Sequence, residues 1–279
     1  MATASSLTGV GPLLREWRKR RRRSQFELAL EAGVSARHLS FVETGRSTPS
    51  PEMVLLLAEQ LEVPFRERNQ LLLAAGHAPA FPERSLDDPE LAPVRAALDR
   101  ILTAHEPNPA VVFDRAWNLV AANSAMGALV ELADIDPELL EPPVNILRAG
   151  LHPRGMAPLL VNLDQWRAHF LERLSRQVAV TGDDELAALL EEIAGYPGSG
   201  DGDPAPARRE SEILGPLKVR PPDGSELSFF GMFATFDTPF EVTASELAME
   251  LMFPADRETA SALEELASTT RQTRGGDSR

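Results

Sequence analysis

The chain has 279 residues, 43% hydrophobic and 25% charged, with no cysteine and a net charge of −14. That length accommodates one large or two small globular domains, and without cysteine there is neither a disulfide framework nor a thiolate metal site. No apolar run approaches the roughly 20 residues of a membrane span, and the N-terminus carries no apolar signal region, so a cytoplasmic protein with no membrane partner is expected.

Residues 1–10 are small and polar, as in a disordered N-terminus. A first helix is predicted to begin near Gly11-Pro12, with Leu13, Leu14 and Trp17 on its apolar face, and to run into six consecutive cations, Arg18 to Arg23. Ser24 is a suitable N-cap, and Glu27 completes a capping box. Leu28, Ala29 and Ala32 then share a helix face. Gly33 suits the left-handed position that ends a helix. Ser35 can cap a second short helix, in which Leu39 and Val42 are spaced for burial. Two short helices joined by a tight Gly-containing turn form a helix-turn-helix, whose second helix reads DNA bases in the major groove. A helical hairpin in an enzyme would look similar, but the flanking charge argues against it. Residues 15–46 carry a net +5, and residues 1–76 a net +3, while the remainder carries −17. A basic island on an acidic chain is the footprint of phosphate contact, and the acidic part should be repelled by DNA. Phosphate contact is therefore assigned to Arg20, Arg21, Arg22 and Arg23. Ser50-Pro51 opens a fourth helix with Val54, Leu55, Ala58 and Leu61 inward. A fifth, roughly Phe65 to Ala75, ends at Gly76.

The residues Arg18, Gln25, Leu28-Ala29, Gly33-Val34-Ser35, Leu39, Val42-Glu43, Gly45, Pro49 and Leu57 make this stretch similar to the Cro/C1-type, or XRE, helix-turn-helix family. The resemblance implies a structural ion pair between Arg18 and Glu43. It implies phosphate contacts by Gln25, Thr44 and Arg46, to which the hydroxyls of Ser35 and Ser40 are added, and base reading by Ala36, Arg37 and Phe41. Arg37 can make a bidentate contact to guanine. His38 can donate to a base or phosphate, or be solvated. Ala36 and Phe41 offer only apolar contact to a thymine methyl, and Phe41 can instead pack on Phe26.

Residues 77–93 hold four prolines and read as a linker. A helix over 94–105 follows, with Val94, Leu98, Ile101 and Leu102 on one side. Next come a strand at 110–113, a turn at Asp114–Asn118, a strand at 119–122, and Asn123 or Ser124 capping a short helix. Residues 163–180 are amphipathic through Leu163, Trp166, Phe170 and Leu174, and a helix is predicted over 184–194. Residues 195–210, with Arg208-Arg209, read as a mobile Gly/Pro/Asp-rich loop. Strands are predicted over 212–219, 226–236 and 248–254, with Pro221-Pro222-Asp223-Gly224 as a turn. Residues 256–270 read as a helix, and the tail from Thr273 as disordered.

Phe113-Asp114, Trp117-Asn118, Ala121-Ala122-Asn123, Leu151-His152-Pro153, Thr235 and Phe253-Pro254-Ala255-Asp256 make this half resemble the ligand-binding domain of MmyB-like transcription regulators. The resemblance implies a PAS-like fold that holds a small apolar, fatty-acid-like molecule. Phe113, Trp117, Val120, Met126, Trp166, Phe170, Phe229, Met232 and Phe233 are candidates to line its pocket; the same side chains could instead fill a core. Histidines 38, 77, 105, 152 and 169 have no metal-ligand spacing, and haem ligation by His105, His152 or His169 is the lesser reading beside surface histidines. No catalytic signature is present. No cofactor is expected beyond a bound fatty acid or similar lipid.

The expected fold is α+β: an N-terminal five-helix bundle, then a PAS-like domain with an antiparallel sheet flanked by helices. The expected divisions are 1–10 disordered, 11–76 DNA-binding, 77–93 linker, 94–258 ligand-binding and dimerising, and 259–279 C-terminal helix and tail. The function expected is that of a homodimeric regulator on a double-stranded DNA operator, tuned by its ligand. A ligand-independent DNA-binding protein, whose second domain serves dimerisation or protein contact, is the alternative.

Overall fold

A computed structural model describes residues 9–198, 215–236 and 241–276, with side chains to residue 268. The expected disorder at 1–8, most of the Gly/Pro/Asp-rich loop with Arg208-Arg209, the strand start at 212–214 and residues 277–279 lie outside the described residues. The chain divides into two compact units: the first is the chain up to Ser85 with the short segments Ala179–Thr181 and Thr238–Ser245, and the second is the rest from Leu86.

The first unit is a bundle of five helices: α1 (Val10–Arg20), α2 (Gln25–Glu31), α3 (Ala36–Glu43), α4 (Pro51–Gln60) and α5 (Phe65–Ala74). Their starts follow local chemistry. The Ser24 hydroxyl accepts from the Glu27 amide while the Glu27 carboxylate accepts from the Ser24 amide, a complete capping box. The Ser35 and Ser50 hydroxyls cap α3 and α4 by accepting from the His38 and Met53 amides, without a reciprocal side chain at the third helical position. Gly33 takes φ +64 at the corner between α2 and α3, as the turn requires. One core is formed by Leu14, Trp17, Leu28, Leu39, Val42, Val54, Leu57, Leu61, Leu71 and Leu72, among others. Leu57 takes the buried position on α4, and Leu55 is only partly buried.

The stretch read as a linker is not loose at its start. Asn69 on α5 is buried and accepts from the Ala80 and Phe81 amides, both at 3.0 Å, and donates to the Phe81 carbonyl at 2.7 Å. The Phe81 ring stacks on Phe65 with centroids 4.3 Å apart. A proline-rich segment lacks ladder partners of its own, and here one amide side chain supplies them.

In the second unit, α6 (Ala92–Ala104) leads to β1 (Ala110–Phe113), β2 (Leu119–Ala122), α7 (Ser124–Glu131) and α8 (Ile146–Leu151). Next come α9 (Leu163–Thr181), α10 (Asp184–Ala194), β3 (Leu217–Val219) and β4 (Leu227–Thr235). After α11 (Val242–Glu246), whose residues up to Ser245 group with the first unit, the second unit resumes with β5 (Ala248–Pro254) and α12 (Arg257–Gly276). The helix thus continues past Thr273, where a tail was expected. The five strands pair antiparallel in the order β2-β1-β5-β4-β3, a PAS-like sheet flanked by helices. Between β3 and β4, Gly224 at φ +83 donates to the Pro221 carbonyl at 3.0 Å.

Two local polar knots fix the β1–α7 region. Asp114 accepts from the Ala116 and Asn118 amides at 2.9 and 2.8 Å, which makes the turn tight. Asn123 is buried. Its Oδ1 accepts from the Met126 amide, capping α7, and from the Ala110 amide, both at 3.0 Å. Its Nδ2 donates to the Asn108 carbonyl at 2.7 Å. The period-two alternation of β1 sends Ala110 and Val112 to a cluster with Leu98 and Leu102 of α6. Val111 and Phe113 face a cluster with α8, α9 and α10. Both faces of the sheet are covered.

Candidate nucleic-acid interface and apolar cavity

Leu39, Val42 and Glu43 of α3 are buried. Arg37, Phe41 and Thr44 lie at i, i+4 and i+7, so they share the opposite, outward face. The buried side is fixed by an ion pair inside the bundle. Arg18 donates from Nε and Nη2 to the two Glu43 carboxylate oxygens at 2.6 and 2.8 Å, and from Nη1 to the Arg23 carbonyl at 2.8 Å. Gln25 donates its amide to Glu43 at 2.8 Å. Burial pushes the Glu43 carboxyl up, but these hydrogen bonds, with the charges of Arg18 and Arg15, outweigh it and hold the group below the usual carboxylate range. Gln25, expected at a phosphate, is therefore turned toward the ion pair.

The guanidinium groups of Arg37 and Arg46 lie 5.4 and 5.8 Å from the Phe41 ring centre. Phe41 thus has two cations within cation–π range. Phe26 is 68% exposed, so it is not the buried packing partner considered for Phe41. Ala36 packs partly against the core. Ser35 uses its hydroxyl as the N-cap, accepting from the His38 amide at 3.1 Å. Thr44 donates to the Ser40 carbonyl at 2.7 Å.

The arginine run divides by role. Arg21 donates to the Leu61 and Glu62 carbonyls at 2.8 and 2.9 Å, closing the end of α4. Arg20 pairs with Glu16 and lies over Trp17, and Arg23 pairs with Glu31 at 2.5 Å. Arg22 is exposed with φ +54, and among the described residues none holds its side chain.

The second unit holds a partly open cavity of about 280 Å³. Its wall is aliphatic and aromatic: Met126 and Leu129 of α7, Ile146 and Leu151 of α8, Trp166 and Phe170 of α9, and Val111, Leu119 and Met252 of the sheet. Ile135, Leu140 and Val144, from the connection between α7 and α8, also line it. One wall residue is charged, Glu250 of β5. Of the side chains expected at a pocket, Met126, Trp166 and Phe170 line the cavity and the other six do not. Phe113 and Trp117 stack at 4.7 Å, with Phe233 edge-on to Phe113 at 5.9 Å, so these three rings fill space. Val120 packs with the α6 side of the sheet, because a register shift between Val112 and Phe113 re-aims β2. Phe229 is buried with Val219, Leu227 and Leu263, and Met232 is 51% exposed.

Trp117 takes φ +66, a strained conformation for a bulky side chain. It is held by its Nε1 donating to Gln177 at 3.0 Å, by the Ile146 amide donating to its carbonyl at 2.9 Å, and by the ring stack. Nothing in the sequence pattern signals that strain. Glu250 was likewise missed, since a lone acid in a strand normally marks the solvent side; the available signal was its place among apolar neighbours in a sheet covered on both faces.

The two units define a helix-turn-helix chain carrying a PAS-like domain with an apolar cavity. The chain belongs to the MmyB-like transcription regulator family: residues 94–266 match its ligand binding domain. Residues 14–68 match a helix-turn-helix family. Over 78 residues the chain is 42% identical to the uncharacterized HTH-type transcriptional regulator RghRB of Bacillus subtilis (strain 168), a match covering 28% of this chain. The chain spans about half the length of that relative, 54%. Among solved structures it is similar to the PAS domain of an HTR-like protein from Haloarcula marismortui, at 9% identity and TM-score 0.25, covering 58% of this chain and 94% of that one. It is also similar to an RNA-binding light-oxygen-voltage receptor, at 16% identity and TM-score 0.25, covering 95% and 65%. A TM-score that small makes neither a close structural relative.

Proposed function

We propose that this chain is a sequence-specific, DNA-binding transcriptional regulator of the cytoplasm. In this reading residues 11–76 bind a double-stranded operator, and residues 94–258 hold a small apolar effector with a fatty-acid-like chain and pair two copies into a homodimer. The observation that carries the DNA reading is the outward face of α3, where Arg37, Phe41 and Thr44 stand opposite a side locked by Arg18 and Glu43. Arg37 and His38 read bases. Arg22, Arg46, Thr44 and Ser40 meet phosphates, with Arg20, Arg21 and Arg23 adding to the local positive potential. Arg37→Ala should weaken operator binding by about 1–3 kcal/mol and relax sequence preference, measured by fluorescence anisotropy on operator and scrambled duplexes. Unchanged affinity on both would remove Arg37 from the interface.

The effector reading rests on the cavity. A partly open cavity of about 280 Å³ lined by apolar groups approaches the size of small-ligand sites. It weighs against the rival in which the second domain only dimerises or binds protein. The effector must bind the DNA-competent and DNA-incompetent states differently to act at all.

A further inference from the structure

We infer that Glu250 is the head-group anchor of this cavity, and that its ligand is an aliphatic chain ending in a hydrogen-bond donor, an amine or an alcohol, rather than a carboxylate. This rests on the cavity being a ligand site and narrows what that ligand is.

Glu250 is 5% exposed and forms part of the cavity wall. In the ladder it lies between Val111 of β1 and Phe233 of β4. Gly231 of β4 leaves it room: a Cβ at that position would sit 3.0 Å from Glu250 Oε1. Among the described residues no donor is within hydrogen-bond distance of its carboxyl. The cation that acts on it is Arg173 of α9, which makes no ion pair with it and lies 3.7 Å over the Phe233 ring, outside the cavity wall. Burial therefore pushes the Glu250 carboxyl up to about 7, with Arg173 drawing it down.

A buried acceptor without a donor costs more than one that is satisfied. The remaining wall is apolar and offers no partner, so the partner has to arrive with the ligand. An ammonium or hydroxyl supplies it. Above pH 7, where Glu250 is ionised, a carboxylate brings a second negative charge into a site that already disfavours the first. Size fits the same class. An apolar cavity of about 150 Å³ holds benzene, so about 280 Å³ suits roughly ten carbon atoms.

The experiment is isothermal titration of the full-length protein with decylamine, decanol and decanoate at pH 8, on wild type and Glu250→Gln. In wild type, decylamine and decanol are expected to bind at least about tenfold tighter than decanoate. In Glu250→Gln the amine should lose its advantage and decanoate should gain. Because the chain carries a net charge of −14, an amine preference that survives Glu250→Gln would be general attraction and would overturn the inference. Decanoate binding as tightly as decanol in wild type would overturn it without recourse to any variant, and would leave the cavity reading standing. No binding by any decyl chain would overturn the cavity reading as well.

Discussion

Two buried glutamates show how one residue type is driven in opposite directions. Glu43 receives hydrogen bonds from Arg18 and Gln25 and stays below the ordinary carboxylate range despite its burial. Its stabilising contribution is complete above that range and is lost as pH falls through its folded-state value. Glu250 has no such donors, and burial carries it to about 7. Arg173 faces it from α9, while Val111, Phe233 and Gly231 on the adjoining strands bring no charge. The folded state therefore keeps a proton there that the unfolded chain has released, so stability falls as pH rises from the ordinary glutamate value toward 7. Each unit of that separation is worth about 1.4 kcal/mol. Thermal melts should find Glu250→Gln close to wild type at pH 5 and clearly higher-melting at pH 8. A variant that melts lower at pH 8 would show that Glu250 has a folded-state partner.

At the scale of elements, α1 approaches α3 so closely that one position must be glycine. A Cβ on Gly11 would lie 2.4 Å from the Val42 carbonyl oxygen and 2.9 Å from that of Glu43. These are backbone atoms at the end of α3, with no rotamer to change. Gly11→Ala should therefore destabilise the bundle by about 1–3 kcal/mol through overpacking, against the roughly 1 kcal/mol that alanine normally gains in a helix. A lower urea midpoint by circular dichroism is the expected result, and a higher one would mean that the helices can separate freely. The sequence discloses that α1 exists but not this approach, which depends on where two helices meet. What was legible is what is decided within a few residues. Ser24, Ser35 and Ser50 all cap the helices they were expected to cap, and of Asn123 and Ser124 it is Asn123 that caps α7, because an N-cap and the amide it accepts from lie within one turn. The Asp114–Asn118 turn was legible for the same reason. The cavity was not. Aromatic residues stood out in the sequence, yet three of them fill the core by stacking, while plain aliphatics such as Ile135, Leu140 and Leu151 form much of the wall. Wall and filling share one composition and differ only in packing.

For the whole molecule, the uneven charge sets what each half can do. The N-terminal 76 residues carry a net +3 and the remainder −17, so the second unit cannot add favourably to DNA contact. One short helix with a single bidentate-capable arginine gives limited discrimination, and two copies on half-sites about one helical turn apart multiply it. Native mass spectrometry should show a dimer, and a duplex carrying one half-site should bind far more weakly than one carrying both. A monomer binding both duplexes equally would rule out the paired arrangement. The carboxylate of Glu43 has one more consequence. It sits on α3 and accepts from Arg18 of α1 and Gln25 of α2, so three helices share a single buried anion. Loosening any of them leaves that anion short of a partner. The surface that meets DNA therefore has no frayed or half-formed version to fall back on: it opens as a unit, in the all-or-none way of a single cooperative block.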